Sequence, residues 1–266
     1  MIELLVFIAL GSITGILAGM FGIGGGVLLV PALIFIFNGM GMEESVVVYM
    51  AIGTALSSII FSGISSAHSH HSKKCVEWKL VFPLSLGMIV GALIGSRYAT
   101  SMSSDNLKLI ITIFLIAVGG EMLFGYTKLL SSRRKLVSIS NTLAPIHGGW
   151  IGFLSSILGI GGGSFTTPLM TLAGYNIRQG IGTAAACGVP IALAGAMGYL
   201  YFGQTHPNLP AGATGFIFWP AVLGIASASI ITARIGSNIA HSISEQILKR
   251  LFGVLLVIAA IMVTRS

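Results

Sequence analysis

The chain has 266 residues, 55% of them hydrophobic and 8% charged, with a mean hydropathy of +0.96 and a formal net charge of +7. So little polar surface cannot cover a soluble globule, which leaves an integral membrane protein with the lipid bilayer as its solvent and no nucleic-acid partner. The two cysteines, Cys75 beside a basic loop and Cys187 inside an apolar run, make no disulfide framework.

The N-terminal MIELLVFIAL carries Glu3 and lacks a basic n-region, so it reads as a first structural helix and not as a cleaved signal peptide. No Lys, Arg, Asp or Glu occurs from Leu4 to Met42, and the same holds for Ser45 to Ala67, Leu80 to Ser96, Leu109 to Gly120, Thr142 to Ile177 and Gln179 to Ala233. A crossing needs about 20 residues, so several of these runs hold more than one segment. The expected fold is all-α and polytopic, with about 8 to 10 membrane segments.

Within the first run, Gly22-Ile23-Gly24-Gly25-Gly26 interrupts the apolar segment and Pro31 follows. Three consecutive glycines cost about 1 kcal/mol each in a helix interior, so the segment is expected to break there. The same device recurs as Gly159-Ile160-Gly161-Gly162-Gly163 with Pro168. Gly11 to Leu33 aligns with Gly148 to Met170 without a gap, and nine of the 23 positions are identical. Ile52-Gly53-Thr54-Ala55 then matches Ile181-Gly182-Thr183-Ala184, and Pro83, Leu86, Gly87 and Arg97 match Pro220, Leu223, Gly224 and Arg234. Each half therefore holds a helix-break-helix segment and three further helices: a GTA helix, a helix with an early proline that ends in arginine, and a last helix. Residues 1–127 form repeat 1, the basic stretch 128–141 is a cytoplasmic linker, and 142–266 form repeat 2.

Ile2 to Phe37 is 36 residues, about 54 Å as one continuous helix, too long for a single crossing. Folding back at the glycines gives each half an odd number of passes and so inverts the halves. Eleven of the fourteen basic residues then share one side, leaving Arg97, Lys108 and Arg265 opposite, as the positive-inside rule requires. Both termini fall outside.

A helix that restarts after a glycine break presents unpaired backbone N–H groups and a dipole end worth roughly +0.5 charge, an anion site without a cation. Gly24, Gly25, Gly26, Gly161, Gly162 and Gly163 are the expected backbone of that site. In an inverted pair the two breaks meet near the bilayer midplane. Pro31 and Pro168 sit early in the restarted helices, where a missing N–H does least harm or a kink is wanted. The second copy continues Ser164, Phe165, Thr166, Thr167 where the first has Val27, Leu28, Leu29, Val30. Ser164, Thr166 and Thr167 are thus substrate candidates, joined by Thr54 and Thr183 of the GTA helices. The competing reading for any such hydroxyl is a bond back to its own helix or small-residue packing. Packing is also the reading preferred for Gly11, Gly15, Gly19 and Gly87, Gly91, Gly95, at four-residue spacing.

Arg97 and Arg234, at matched positions, either draw an anion into the two vestibules or snorkel to head groups. Glu121, inside an apolar run, is either a proton-coupling carboxylate or a residue of the nearby basic helix end. His147 reads as a helix-start interfacial residue. His68, His70, His71 and Cys75 cluster in sequence, but two lysines lie beside them and no closed zinc spacing is present, so no metal site is expected. No cofactor is implied. The chain has no P-loop, HExxH or GxSxG, so neither ATP drive nor an intramembrane enzyme is expected.

The paired GIGGG segments with their downstream prolines, the repeated GTA and the length resemble the TauE/SafE family, also called the sulfite exporter or toluenesulfonate uptake permease family. The resemblance covers essentially the whole chain. It implies a secondary transporter of sulfite, a sulfonate or a related sulfur oxyanion in the bacterial inner membrane, working by alternating access, with a coupling proton or ion as a further partner. An anion channel is the alternative, with the dipole site as its filter. Substrate, direction and oligomeric state stay open.

Overall fold

The computed structural model describes residues 2–22, 25–124, 139–140, 142–239 and 245–265. Gly24, one of the expected site glycines, and the linker 128–141 apart from residues 139 and 140 lie outside the described residues. Ten helices occur among those described: α1 (Ile2–Phe21), α2 (Gly26–Gly39), α3 (Glu44–Ser72), α4 (Trp78–Ser101), α5 (Ser104–Phe124), α6 (Ala144–Leu158), α7 (Gly163–Leu172), α8 (Ile177–Gly203), α9 (Trp219–Ile239) and α10 (Glu245–Arg265). A two-residue antiparallel ladder, β1 (Ala213–Thr214) with β2 (Ile217–Phe218), precedes α9.

Six of these helices, α1, α3, α4, α5, α8 and α9, are long and apolar enough to cross a membrane. α2, α6 and α7 have only 14, 15 and 10 residues. Large apolar side chains face outward on several helices, among them Phe82, Leu109, Trp150 and Leu223. Such a continuous apolar exterior is unfavourable in water and natural in lipid. The chain is a multi-pass membrane protein.

Local rules account for the ends of the helices. α8 starts at a capping box in which the Asn176 side chain accepts from the Gln179 N–H at 2.8 Å and the Gln179 side chain accepts from the Asn176 N–H at 3.2 Å. α1 and α6 stop at Gly22 and Gly159, both left-handed, whose N–H groups donate back to Ala18 and Ser155 carbonyls.

Packing between halves is reciprocal. α1 lies along α9, with Gly11, Gly15 and Gly19 against Ile225, Ser229 and Ala233 in turn. α4 lies along α6 in the same way, with Gly87, Gly91 and Gly95 against Pro145, Gly149 and Phe153. Both pairs run parallel, and the four-residue glycine spacing lets the backbones touch, the packing role anticipated for these two runs. Matched helices instead cross antiparallel: Gly53, Leu56 and Gly63 of α3 meet Tyr199, Gly195 and Val189 of α8, and Gly119 and Leu123 of α5 meet Leu256 and Gly253 of α10. α3 and α8 form the centre, and the core around them is aliphatic and aromatic, including Leu33, Ile34, Val47, Ile52, Leu56, Tyr199 and Phe218.

Candidate functional site

Both glycine segments break as their composition requires. Gly25 and Gly162 are the N-caps of α2 and α7, with φ of 72° and 75°, values an L side chain adopts only with strain. Their carbonyls accept the first helical bonds, from Leu29 at 3.1 Å and from Thr166 at 2.9 Å. The N–H groups ahead of those positions have no carbonyl within their own helix to reach, and the helix dipole adds roughly half a positive charge at each start.

The two breaks touch. A Cβ on Gly26 would come within 2.6 Å of the Gly159 carbonyl oxygen and 2.9 Å of the Ile160 Cα. The isoleucines of the two GTA motifs complete the junction, since Gly22 packs on the Ile181 backbone and Gly159 on Ile52. Gly161 touches α8 at Gly188. Gly25, Gly26, Gly161, Gly162 and Gly163 are all buried.

The hydroxyls of the second copy are unlike one another. Thr166 is fully buried and donates to the Gly162 carbonyl at 3.0 Å, a bond back along its own helix. Ser164 and Thr167 carry hydroxyl oxygens sealed from solvent that have no hydrogen-bond partner. Three residues apart, they share one face of α7. The first copy places Val27, Leu29 and Val30 in the equivalent buried positions.

Thr54 and Thr183 are brought to matched places facing backbone N–H groups, at the end of β2 and in the loop before α4. The Thr54 hydroxyl accepts the Phe218 N–H at 3.0 Å, and the Thr183 hydroxyl accepts the Glu77 N–H at 3.0 Å. The preceding Gly53 and Gly182 lie so close to the Phe216 and Cys75 carbonyls that a Cβ would collide. In each half, glycine admits a close backbone segment and threonine binds it. Sequence reasoning missed the two partner segments, the loop 75–77 and residues 216–218 with β2. The one available signal was the adjacency of a small residue and a hydroxyl repeated in both halves.

Pro31 and Pro168 are the sixth residues of α2 and α7 and thus lie inside those helices, not in the first turn, which corrects the expectation of a harmless N–H position. Each leaves a carbonyl one turn back, at Val27 and Ser164, without a helical donor. Arg97 and Arg234 do not end their helices, which continue to Ser101 and Ile239, so neither charge marks a helix end. Both are exposed, and the Arg97 guanidinium stacks 5.3 Å from the centre of the Phe202 ring. Glu121 is half-buried near the end of α5.

The histidine cluster lies not in a loop but at the end of α3, with His70 and His71 in its last turn, and its side chains point to different partners. The buried His70 ring Nε2 lies 3.1 Å from the Gly19 carbonyl, and His71 Nδ1 accepts from the Trp78 indole N–H at 3.0 Å. Among the described residues no group of three His, Cys, Asp or Glu is placed to hold a metal. Beside it, Lys73 caps α3 and donates to the Ser237 carbonyl at 2.8 Å and to Asn238 Oδ1 at 3.0 Å. Burial holds its ammonium below the usual lysine range, opposed by Cys75.

Apolar spans packed around two broken helices define the chain as a polytopic membrane protein of the transporter type. It belongs to the sulfite exporter TauE/SafE family, whose family model matches residues 7–263. Curated relatives include a probable membrane transporter protein of Haemophilus influenzae, 31% identical over 258 residues and covering 97% of each chain. Another, from Methanocaldococcus jannaschii, is 28% identical over 254 residues, covering 91% of this chain and 88% of its own. A third, from Bacillus subtilis, is 26% identical over 257 residues, covering 94% and 79%. No solved structure matches.

Proposed function

We propose that the chain is a secondary transporter of a small sulfur oxyanion, sulfite or an organosulfonate, operating by alternating access around a seat where the two glycine breaks meet. The observation that carries this reading is the contact of Gly26, the first residue of α2, with Gly159 and Ile160, which end α6 and open the second break. Two helix starts at one place address one anion, the arrangement of transporter sites built on discontinuous helices. The seat consists of Gly24 to Gly26, Gly161 to Gly163, Ser164 and Thr167. Thr54, Thr166 and Thr183 stand behind it.

Repeat 1 (1–127) and repeat 2 (142–266) act as inverted halves. The antiparallel crossings of α3 with α8 and of α5 with α10 support this, because matched helices of parallel repeats would point the same way. Charge supports a cytoplasmic linker 128–141 with both termini outside, in the inner membrane. Arg97 and Arg234 then attract anions at opposite faces, and Glu121 is the carboxylate for a coupling proton.

Saturable, counterflow-competent uptake of sulfite into proteoliposomes is the expected behaviour, and Gly161→Leu abolishes it while the protein stays folded. Ohmic anion current at high rates would replace the carrier with a channel. Equal anion affinity in wild type and Gly161→Leu would remove the seat.

A further inference from the structure

Contacts sort the central helices into two sets, and the sets are not the two repeats. α9, from the second repeat, packs along α1 and α3 of the first; α4, from the first, packs along α6 and α8 of the second. Inside each set the fit is tight. α1 with α9 and α4 with α6 are the glycine-spaced pairs whose backbones touch. Polar bonds tie α3 into its set: Ser65 donates to the Ile230 carbonyl of α9 at 2.6 Å, the C-cap Lys73 to the Ser237 carbonyl at 2.8 Å, and His70 Nε2 lies 3.1 Å from the Gly19 carbonyl of α1. In the other set Tyr199 of α8 donates to the Ser156 carbonyl of α6 at 3.2 Å, and Ser85 of α4 lies against the Cys187 thiol of α8. The matched threonines fasten the exchange: Thr54 of α3 binds the strand that leads into α9, and Thr183 of α8 binds the loop that leads into α4.

The sets meet where α3 crosses α8, and there carbon meets carbon. Leu56 Cδ1 lies 2.9 Å from where a Cβ on Gly195 would project, and Val189 Cγ2 3.2 Å from one on Gly63. Hydrogen bonds across this seam sit toward the ends of α3. Near its start Tyr49 donates to the Met102 carbonyl at 2.5 Å and the Phe216 N–H to the Tyr199 carbonyl at 3.2 Å, and at its finish Trp78 donates to His71 at 3.0 Å. Non-directional carbon contacts oppose sliding less than interlocked backbones held by hydrogen bonds. Both glycine breaks straddle the seam: Gly22 after α1 packs on the Ile181 backbone of α8, and Gly159 after α6 packs on Ile52 of α3. A shift of one set past the other therefore reshapes both breaks at once.

We infer that the bodies that move in transport are these exchanged sets, α1, α3 and α9 against α4, α6 and α8, sliding along the seam of α3 with α8, and not repeat against repeat. This rests on the transporter reading above and adds which helices travel together. Two disulfides in the full chain test it, each formed by oxidation in proteoliposomes, counted by thiol titration and reversed with dithiothreitol. Ser85→Cys, in a Cys75→Ser chain, pairs with Cys187 and joins α4 to α8 within one set. Gly63→Cys with Val189→Cys, in a chain carrying Cys75→Ser and Cys187→Ala, joins α3 to α8 across the seam at a spacing that a disulfide spans. Both bridges link repeat 1 to repeat 2, so either would stop a rocking of whole repeats. The within-set bridge leaves sulfite uptake within about twofold of the reduced protein, while the seam bridge lowers it at least about tenfold and reduction restores it. Loss of uptake with the within-set bridge overturns the exchanged sets. Full uptake with the seam bridge overturns the seam. Leu56→Cys with Gly195→Cys repeats the seam test if the reduced Gly63→Cys, Val189→Cys protein is inactive. If wild type takes up no sulfite, the transporter reading fails and the inference falls with it.

Discussion

Replacing Thr54 by valine keeps the shape of the side chain and removes the one atom that accepts the Phe218 N–H. Thr54 is fully buried and Phe218 is 5% exposed, so water cannot take over the bond. Leaving that donor unmade costs about 1–2 kcal/mol, the lower end reflecting hydrogen bonds measured within membranes. For a chain of this size that is a fall in melting midpoint of about 3–6 °C. Thr183→Val removes the matched bond to Glu77, but Glu77 is only half-buried and water competes, so about half the loss is expected. Thermal unfolding in detergent, paired with anion titration, measures both quantities. The reasoning holds if Thr54→Val melts earlier than Thr183→Val while both retain wild-type anion affinity. A Thr54→Val protein with an unchanged midpoint and lost affinity would refute it and return Thr54 to the ligand.

Gly25→Ala forces a side chain into φ 72° and to within 2.6 Å of the Thr14 carbonyl, so it destabilises by more than about 1 kcal/mol. Gly39→Ala, with nothing within 4 Å, stays neutral or gains about 0.5 kcal/mol; chemical or thermal denaturation of the two compares them. Ser164→Ala leaves the midpoint within about 0.5 kcal/mol of wild type because its hydroxyl has no protein partner, yet it lowers sulfite affinity in the same titration. Gly91→Ala drives a Cβ into the Gly149 carbonyl and costs about 1–3 kcal/mol by overpacking at unchanged affinity, since it lies between α4 and α6 and away from the breaks. Arg97→Glu slows sulfite uptake at low ionic strength, and the difference shrinks as salt rises toward about 1 M, where screening shortens to about 3 Å.

Much of the architecture is readable from local composition. Charge-free runs mark the spans, triple glycines mark the breaks, and the four-residue glycine spacing at Gly11 and Gly87 marks surfaces that pack closely. All three follow from the cost of a residue in its own segment. The position of Arg97 relative to its helix end was not legible, because α4 runs on to Ser101 and stops where the loop takes over. Nor was the interior placement of Pro31 and Pro168, which depends on the residue at which each helix restarts.

The sequence by itself determined the class, the two broken helices and the recurrence of one glycine motif in both parts of the chain. Only the tertiary structure decided which hydroxyls are occupied. Thr54 and Thr183 look alike as ligand candidates, yet their partners lie 164 and 106 residues away and are backbone N–H groups. Thr166 turns back on Gly162, while Ser155, Ser164 and Thr167 close on no partner. A hydroxyl's role is set by which donor or acceptor reaches it across the fold, and no spacing along the chain encodes that.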